Sequence, residues 1–145
     1  MIKAIYLKTL PENCEIVFKG GSYNFKDLPT NELVGLVEVK NNFLEFGIYR
    51  KGLKTKIKGK QVFNSLILHL KFKKVPFSGM KGLWGSKSDN TNAFNVAISN
   101  GFTSEEAAFE TWTGKLALEQ GFRRVQINKL IPDVPPYTSI EVTFY

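Results

Sequence analysis

The sequence of 145 residues contains a single cysteine, Cys14, and a single histidine, His69. One cysteine excludes an intrachain disulfide and a zinc site built on paired cysteines. One histidine excludes nuclease chemistry that needs a histidine pair, and we therefore expect no metal site. Cys14 falls in an apolar run that favours a small buried side chain, and His69 is expected to have a structural or surface role.

Long apolar runs are also missing. No stretch approaches the roughly eighteen uninterrupted apolar residues that a membrane-spanning helix needs, so we expect no contact with a membrane. Residues 1–8 lack the apolar core and cleavage site of a signal peptide. Together with the length, these absences predict a cytoplasmic protein with one domain over residues 1–145.

Acidic residues are absent from the middle of the chain. Residues 46–88 hold eleven Lys or Arg and no Asp or Glu, whereas residues 1–45 hold five basic and six acidic side chains and residues 89–145 hold four and seven. The net charge of +7 therefore comes from one central block. Such a block favours an anionic partner such as a nucleotide cofactor, a nucleic acid or an acidic protein surface.

Hydrophobic periodicity predicts ten elements of secondary structure. Alternation predicts strands over residues 1–8, 14–18, 33–39, 43–49, 79–84, 123–127 and 139–145. Residues 22–31 are predicted to form a loop with room for one helical turn. Helical spacing and capping signals predict a helix after Gly59, a second that Asp89 caps and Gly101 closes, and a third from Thr103 to Gly121 with a break near Gly114.

The expected fold class is therefore α/β (α+β), with the element order β-β-β-β-α-β-α-α-β-β. It contains a single mixed, mostly antiparallel sheet of about six to seven strands and about three helices.

From residue 33 to residue 145, this order resembles that of the GNAT acyltransferase superfamily. Residues 33–39 (LVGLVEV) are similar to its second or third strand, and residues 45–49 (EFGIY) to its fourth. Residues 59–67 (GKQVFNSLI) resemble the helix after its acyl-CoA loop, and residues 121–125 (GFRRV) the entry to its sixth strand. The resemblance implies acetyl-CoA or another acyl-CoA as cofactor, bound where backbone N–H groups and a helix N-terminus face a pyrophosphate.

The resemblance also assigns cofactor-binding residues. Gly59 matches the last glycine of the phosphate-binding motif, whereas Ile57 replaces its earlier glycine and Lys54 stands at its Gln/Arg position. The charge offered to a pyrophosphate or 3′-phosphate would come from Lys54, Lys56, Lys58 and Lys60.

The family often carries a tyrosine four residues before its Gly-Phe pair, as general acid for the leaving thiolate. Ala117 occupies that position here. Tyr49, Tyr137 and Tyr145 are candidates for a substitute acid, and the sequence favours none of them over the others. Glu38 and Glu45 flank one predicted hairpin, and either would serve as general base if it faces a pocket.

A second resemblance concerns residues 59–145. Residues 88–95 (SDNTNAFN) and 104–115 (SEEAAFETWTGK) are similar to C-terminal effector domains of bacterial polymorphic toxins. It implies a toxin domain that is delivered into a target cell, acts on RNA or a nucleotide, and pairs with an immunity protein. Cleft candidates beside a glycine-rich strand are Trp84, Asp89, Asn90 and Asn95, although the last three are equally well explained as a helix cap and its first turns.

Three functions remain open at this point. The first is a GNAT-like domain that binds a phosphorylated ligand, with acyl transfer in question because of Ala117. The second is a toxin-type effector such as a ribonuclease, and the third is a non-catalytic domain whose basic face meets an acidic protein.

Overall fold

The computed structural model describes Pro11, residues 13–49 and residues 51–145. The strand predicted over residues 1–8, and Arg50, lie outside the described residues. The chain forms two compact units, Met1–Phe77 and Ser78–Tyr145, which are described separately. The single domain over residues 1–145 stays a prediction.

The described residues of the first unit form four antiparallel strands followed by one helix. The strands are β1 (Cys14–Lys19), β2 (Ser22–Asp27), β3 (Glu32–Lys40) and β4 (Phe43–Ile48), and they lie side by side in chain order. Helix α1 (Gly59–Phe72) follows them. The predicted strands at 14–18, 33–39 and 43–49 and the helix after Gly59 are thus confirmed.

Two of the three connections between these strands are two-residue tight turns. Gly20 and Gly21 have φ values of 63° and 83°, and Asn41 and Asn42 have 53° and 69°. Positive φ at both central residues is what a two-residue type I′ hairpin turn requires. The predicted loop over residues 22–31 is therefore wrong for residues 22–27, because Gly20 and Gly21 turn the chain directly into β2; residues 28–31 do form a turn.

Helix α1 packs on one face of this sheet. A Cβ atom added to Gly35 would lie 2.8 Å from Cγ1 of Val62, and the rings of Phe46 and Phe63 are 4.9 Å apart. Since strand side chains alternate between faces, β3 and β4 present their other residues on the side away from α1. Among the described residues of the unit, the buried apolar side chains are Phe25, Val34, Val37, Leu44, Val62, Phe63, Leu66, Ile67 and Leu70.

The second unit combines three antiparallel strands with three helices. In chain order these are β5 (Gly79–Trp84), α2 (Asp89–Ser99), α3 (Ser104–Phe109), α4 (Trp112–Glu119), β6 (Val125–Ile131) and β7 (Ser139–Phe144). Strand β7 lies between β5 and β6. The described residues thus hold seven strands and four helices, which confirms the expected α+β class.

The helix termini follow the capping signals, with two differences. Ser88, not Asp89, is the N-cap of α2, since its Oγ accepts the Asn90 N–H at 3.2 Å. The helix predicted from Thr103 to Gly121 divides into α3 and α4, because Thr111 Oγ1 caps α4 by accepting the Gly114 N–H at 2.9 Å. The break thus falls just before the position predicted for it.

Glycine is needed at position 114 because the backbone of Ala108 and Phe109 lies too close for any larger residue. An added Cβ would lie 2.0 Å from the carbonyl oxygen of Ala108, far inside van der Waals contact. Over the described residues, no helix has the length and apolar character to cross a membrane.

Candidate anion-binding site

Five lysines lie between β4 and the first turn of α1, and all are exposed. They are Lys51, Lys54, Lys56, Lys58 and Lys60. We call residues 51–60 the basic segment. Thr55, between two of the lysines, is only 7% exposed, and Ile57 is partly buried. The segment therefore turns Thr55 and Ile57 inward and directs the neighbouring lysines to solvent.

The basic segment leads directly into the N-terminus of α1. Lys58 is the N-cap residue, with extended backbone (φ −79°, ψ 147°), and the first turn contains no acidic residue. Gln61 Oε1 accepts the Lys58 N–H at 2.9 Å, which fixes the chain entry. The N-terminus of a helix carries partial positive charge and favours anions. Lysines at this end leave an unbalanced positive charge that a bound anion would offset.

Glu32, at the start of β3, holds the middle of the basic segment. Its Oε1 accepts the backbone N–H groups of Lys54 at 3.0 Å and Thr55 at 2.9 Å, and its Oε2 lies 2.9 Å from the Lys54 nitrogen. The N–H of Lys54, first among several contacts, lowers the pKa of the Glu32 carboxyl below its usual value. Sequence reasoning missed this residue, since nothing local links positions 32 and 54.

The predicted cofactor-binding residues Lys54, Lys56, Lys58, Gly59 and Lys60 therefore lie along one stretch of chain. Several backbone N–H groups that a phosphate cradle would use are already engaged within the protein. Those of residues 54 and 55 bind Glu32, that of Ile57 donates to Thr55 Oγ1 at 3.2 Å, and that of Lys58 binds Gln61. A phosphate arriving here would meet lysine side chains in place of these four N–H groups.

Two of the predicted catalytic residues, Glu38 and Glu45, are directly opposite each other on β3 and β4. They lie on the face away from α1, and Lys40 Nζ is 3.4 Å from Glu38 and 4.0 Å from Glu45. Like charges opposite each other in a sheet are unfavourable, so Lys40 offsets part of their repulsion. The arrangement places acid–base groups on a partly exposed strand face.

Tyr49 shares this face. Its ring folds back over Gly47, where an added Cβ would lie 2.6 Å from the phenolic oxygen, and its N–H donates to the Val34 carbonyl at 2.7 Å. The sheet thus brings Glu38, Glu45 and Tyr49 to one face. The other two tyrosine candidates belong to the second unit: Tyr137 is partly buried, and Tyr145, directly after β7, is half-exposed.

The polar cleft candidates of the second unit bind other parts of that unit. Asn90 Nδ2 donates to Thr113 Oγ1 at 2.9 Å and its Oδ1 accepts the Thr113 N–H at 3.1 Å. Asn95 donates to the Tyr137 carbonyl and accepts the Tyr137 N–H, both at 2.8 Å. Asp89 is exposed in the first turn of α2. The two asparagines therefore brace the unit.

Trp84, another of the cleft candidates, lies beside a concavity. It packs over Gly82 and lines a shallow depression of about 250 Å³ together with Leu83, Gly85, Lys129, Ser139, Ile140 and Glu141. Asp89, Asn90 and Asn95 do not line this depression.

The single cysteine, Cys14, is partly buried, and the single histidine, His69, is buried. Burial, with smaller contributions from Asp27, raises the pKa of the Cys14 thiol to about 11. His69 is 7% exposed, and its ring meets Tyr23 edge-on at 5.3 Å. Burial and, secondarily, Lys73 lower the pKa of His69. Within the described part of the chain, no group of three His, Cys, Asp or Glu is placed to hold a metal ion.

No protein-family model matches this chain, and no curated protein is significantly similar to it. The resemblances to GNAT acyltransferases and to toxin effector domains stay predictions.

Proposed function

We propose that the first unit binds a phosphorylated ligand through the basic segment and the N-terminus of α1. The ligand that the GNAT-like resemblance implies is acetyl-CoA or another acyl-CoA. The observation that carries the proposal is the run of five exposed lysines into a helix whose first turn has no acidic residue. Lysine is a compact point charge suited to phosphate, and the helix dipole adds to its field.

Binding, and not acyl transfer, is the activity that this geometry supports. Ala117, at the position where the family often has its tyrosine acid, is a fully buried residue of α4. Glu38, Glu45 and Tyr49 offer acid and base groups, but Lys40 already neutralises part of the carboxylate charge. We place the protein in the cytoplasm as part of the same proposal.

The test is a calorimetric titration with acetyl-CoA, with CoA lacking the 3′-phosphate, and with a short single-stranded RNA, each at low and moderate salt. The key variant is Lys56→Glu, in the middle of the basic segment. Lys115→Glu, at an exposed position of α4 in the second unit, makes the same change in net charge and serves as the matched control.

We expect saturable binding of acetyl-CoA that Lys56→Glu weakens by roughly tenfold, the effect of reversing a charge about 5 Å from a phosphate in a water-like medium. Lys115→Glu should leave the affinity close to that of the wild type. Equal losses in both variants would mean that net charge alone attracts the ligand, and absence of binding by every probe would refute the proposal.

The second candidate is an effector that acts on RNA or a nucleotide, delivered into a target cell. The face that carries Glu38, Glu45 and Tyr49 favours it, because a partly exposed strand surface gives a polymer access to acid and base groups. Cleavage of a fluorescent RNA that Glu45→Gln abolishes, with growth arrest on expression and rescue by an immunity protein, would support it. Steeply salt-dependent RNA binding without CoA binding would also move it ahead.

The third candidate is a non-catalytic domain that binds an acidic protein through the basic segment. It becomes the better proposal if neither CoA nor RNA binds and an acidic polypeptide such as poly-glutamate does so, with the loss again confined to Lys56→Glu.

A further inference from the structure

An acidic side chain lies within the most basic part of this protein. Both oxygens of Glu32 are within hydrogen-bonding distance of backbone nitrogens of the basic segment, at 2.9 to 3.0 Å. The residues it holds, Lys54 and Thr55, are followed by the lysines that lead into α1. The contact spans 22 positions of sequence, so it ties the start of β3 to the connection between β4 and α1.

We propose that Glu32 is a positioning residue of the basic segment. Its carboxylate takes the place of an external anion at the N–H groups of Lys54 and Thr55, and thereby sets the conformation in which the lysines face solvent. This inference rests on the proposed function, since the ligand would bind the segment in that conformation. It also confines an external phosphate to the lysine side chains and the start of α1.

The local structure explains why the segment needs such a contact. Residues 53–58 belong to neither a helix nor a strand, so no hydrogen-bonded ladder fixes them. The inward side chain of Thr55 and the Gln61 contact to Lys58 hold the segment further along. Glu32 supplies a polar contact in the middle of the segment, at the N–H groups of Lys54 and Thr55.

Positioning and simple electrostatics predict different outcomes. Removing an acidic charge beside five lysines should, by charge alone, strengthen binding of any anion. Loss of positioning should weaken it. Glu32→Ala and Glu32→Gln have the same net charge, but the glutamine keeps an oxygen where Glu32 Oε1 accepts both N–H groups and places an NH₂ group where Oε2 accepts from Lys54.

The experiment compares wild-type protein, Glu32→Gln and Glu32→Ala in two measurements. The first is amide hydrogen exchange at Lys54 and Thr55 by NMR without ligand, and the second is calorimetric binding of acetyl-CoA. Glu15→Gln and Glu15→Ala, on β1 of the same unit, form the control pair, for which equal affinities are expected. Thermal unfolding of each variant monitors the fold.

We expect exchange at Lys54 and Thr55 to be roughly tenfold faster in Glu32→Ala than in the wild type, with Glu32→Gln between them. Acetyl-CoA should bind Glu32→Ala about fivefold more weakly than Glu32→Gln, the effect of one lost hydrogen bond. Unchanged exchange in Glu32→Ala would overturn the inference, as would equal affinities of the two Glu32 variants. Faster exchange in Glu32→Ala, together with no binding of acetyl-CoA by the wild type, would refute the proposed function. It would still support the role of Glu32 in fixing the conformation of the segment.

Discussion

Replacement of Gly114 by alanine gives the sharpest test of the second unit. Alanine usually stabilises a helix relative to glycine by about 1 kcal/mol. Here the added Cβ would lie 2.0 Å from the Ala108 carbonyl oxygen and 2.7 Å from the Phe109 Cα. Both contacts are to backbone, so no side-chain rotation relieves them, and α3 and α4 must move apart. We therefore expect destabilisation, with a magnitude of about 2 kcal/mol, typical of an overpacked site.

The assay is urea unfolding followed by tryptophan fluorescence, since Trp112 begins α4 and Trp84 lies in the same unit. A loss of this size corresponds to a midpoint lower by about 1 M urea. Gly85→Ala is the matched control, because an added Cβ there meets nothing within 4 Å. A Gly114→Ala protein as stable as the wild type, or more stable, would refute the packing described for the α3–α4 break.

Three further predictions concern groups outside the proposed site. With its pKa at about 11 in place of 9.0, Cys14 should react with iodoacetamide about 100-fold more slowly than an exposed cysteine below pH 9. The lowered pKa of His69 keeps its imidazole neutral in the folded protein, so the unfolded chain binds more protons. The free energy of unfolding should therefore fall as the pH drops below 6.5, the ordinary pKa of the group. His69→Gln should reduce this dependence of stability on pH. Asn95→Ala leaves the Tyr137 N–H and carbonyl without their partner and should cost about 2 kcal/mol in urea unfolding.

Each of these has its own control. Asp27→Asn should partly restore Cys14 reactivity, because Asp27 contributes to the raised pKa through its charge and a hydrogen bond. A slope of stability against pH that is identical in wild type and His69→Gln would contradict the buried neutral imidazole. Asn92→Ala, exposed on the same helix as Asn95, should change stability by less than about 0.5 kcal/mol.

Much of the fold follows from local patterns in the sequence. The apolar stripe of α1, the alternation in β3 and β4, and the capping box of Thr103 and Glu106 each reflect interactions within a few residues. The paired asparagines between β3 and β4 were recognised because asparagine tolerates positive φ. Gly20 and Gly21 also tolerate positive φ and form the same kind of turn. The sequence does not predict the strand β2 that follows them, because most of its residues are polar.

The site depended on contacts that the sequence does not encode locally. The lysines of the basic segment are visible in the sequence, and their exposure follows from charge alone. The hydrogen bonds from the Lys54 and Thr55 N–H groups to Glu32 depend on the position of β3 and on the path of the chain after β4, so the local sequence does not predict them. Likewise, the sequence leaves Asn90 and Asn95 open as cleft residues or as part of a helix cap and its first turns, because their partners Thr113 and Tyr137 lie 23 and 42 positions away.

The pairing of Glu38 with Glu45 can be predicted only in part from the sequence. The hairpin turn at Asn41 and Asn42 fixes the register, so the two carboxylates had to lie near each other once the hairpin was recognised. Which face they occupy depended on where α1 packs, and that was settled by contacts such as Gly35 with Val62.

The central claim is that a phosphorylated ligand binds the basic segment. The most direct measurement is NMR chemical-shift mapping of the ¹⁵N-labelled protein during titration with acetyl-CoA. We predict saturable shifts that are concentrated in the amides of residues 54–61 and that require roughly tenfold more acetyl-CoA in Lys56→Glu. Shifts concentrated elsewhere, for example around the depression beside Trp84, or no shifts at all, would contradict it.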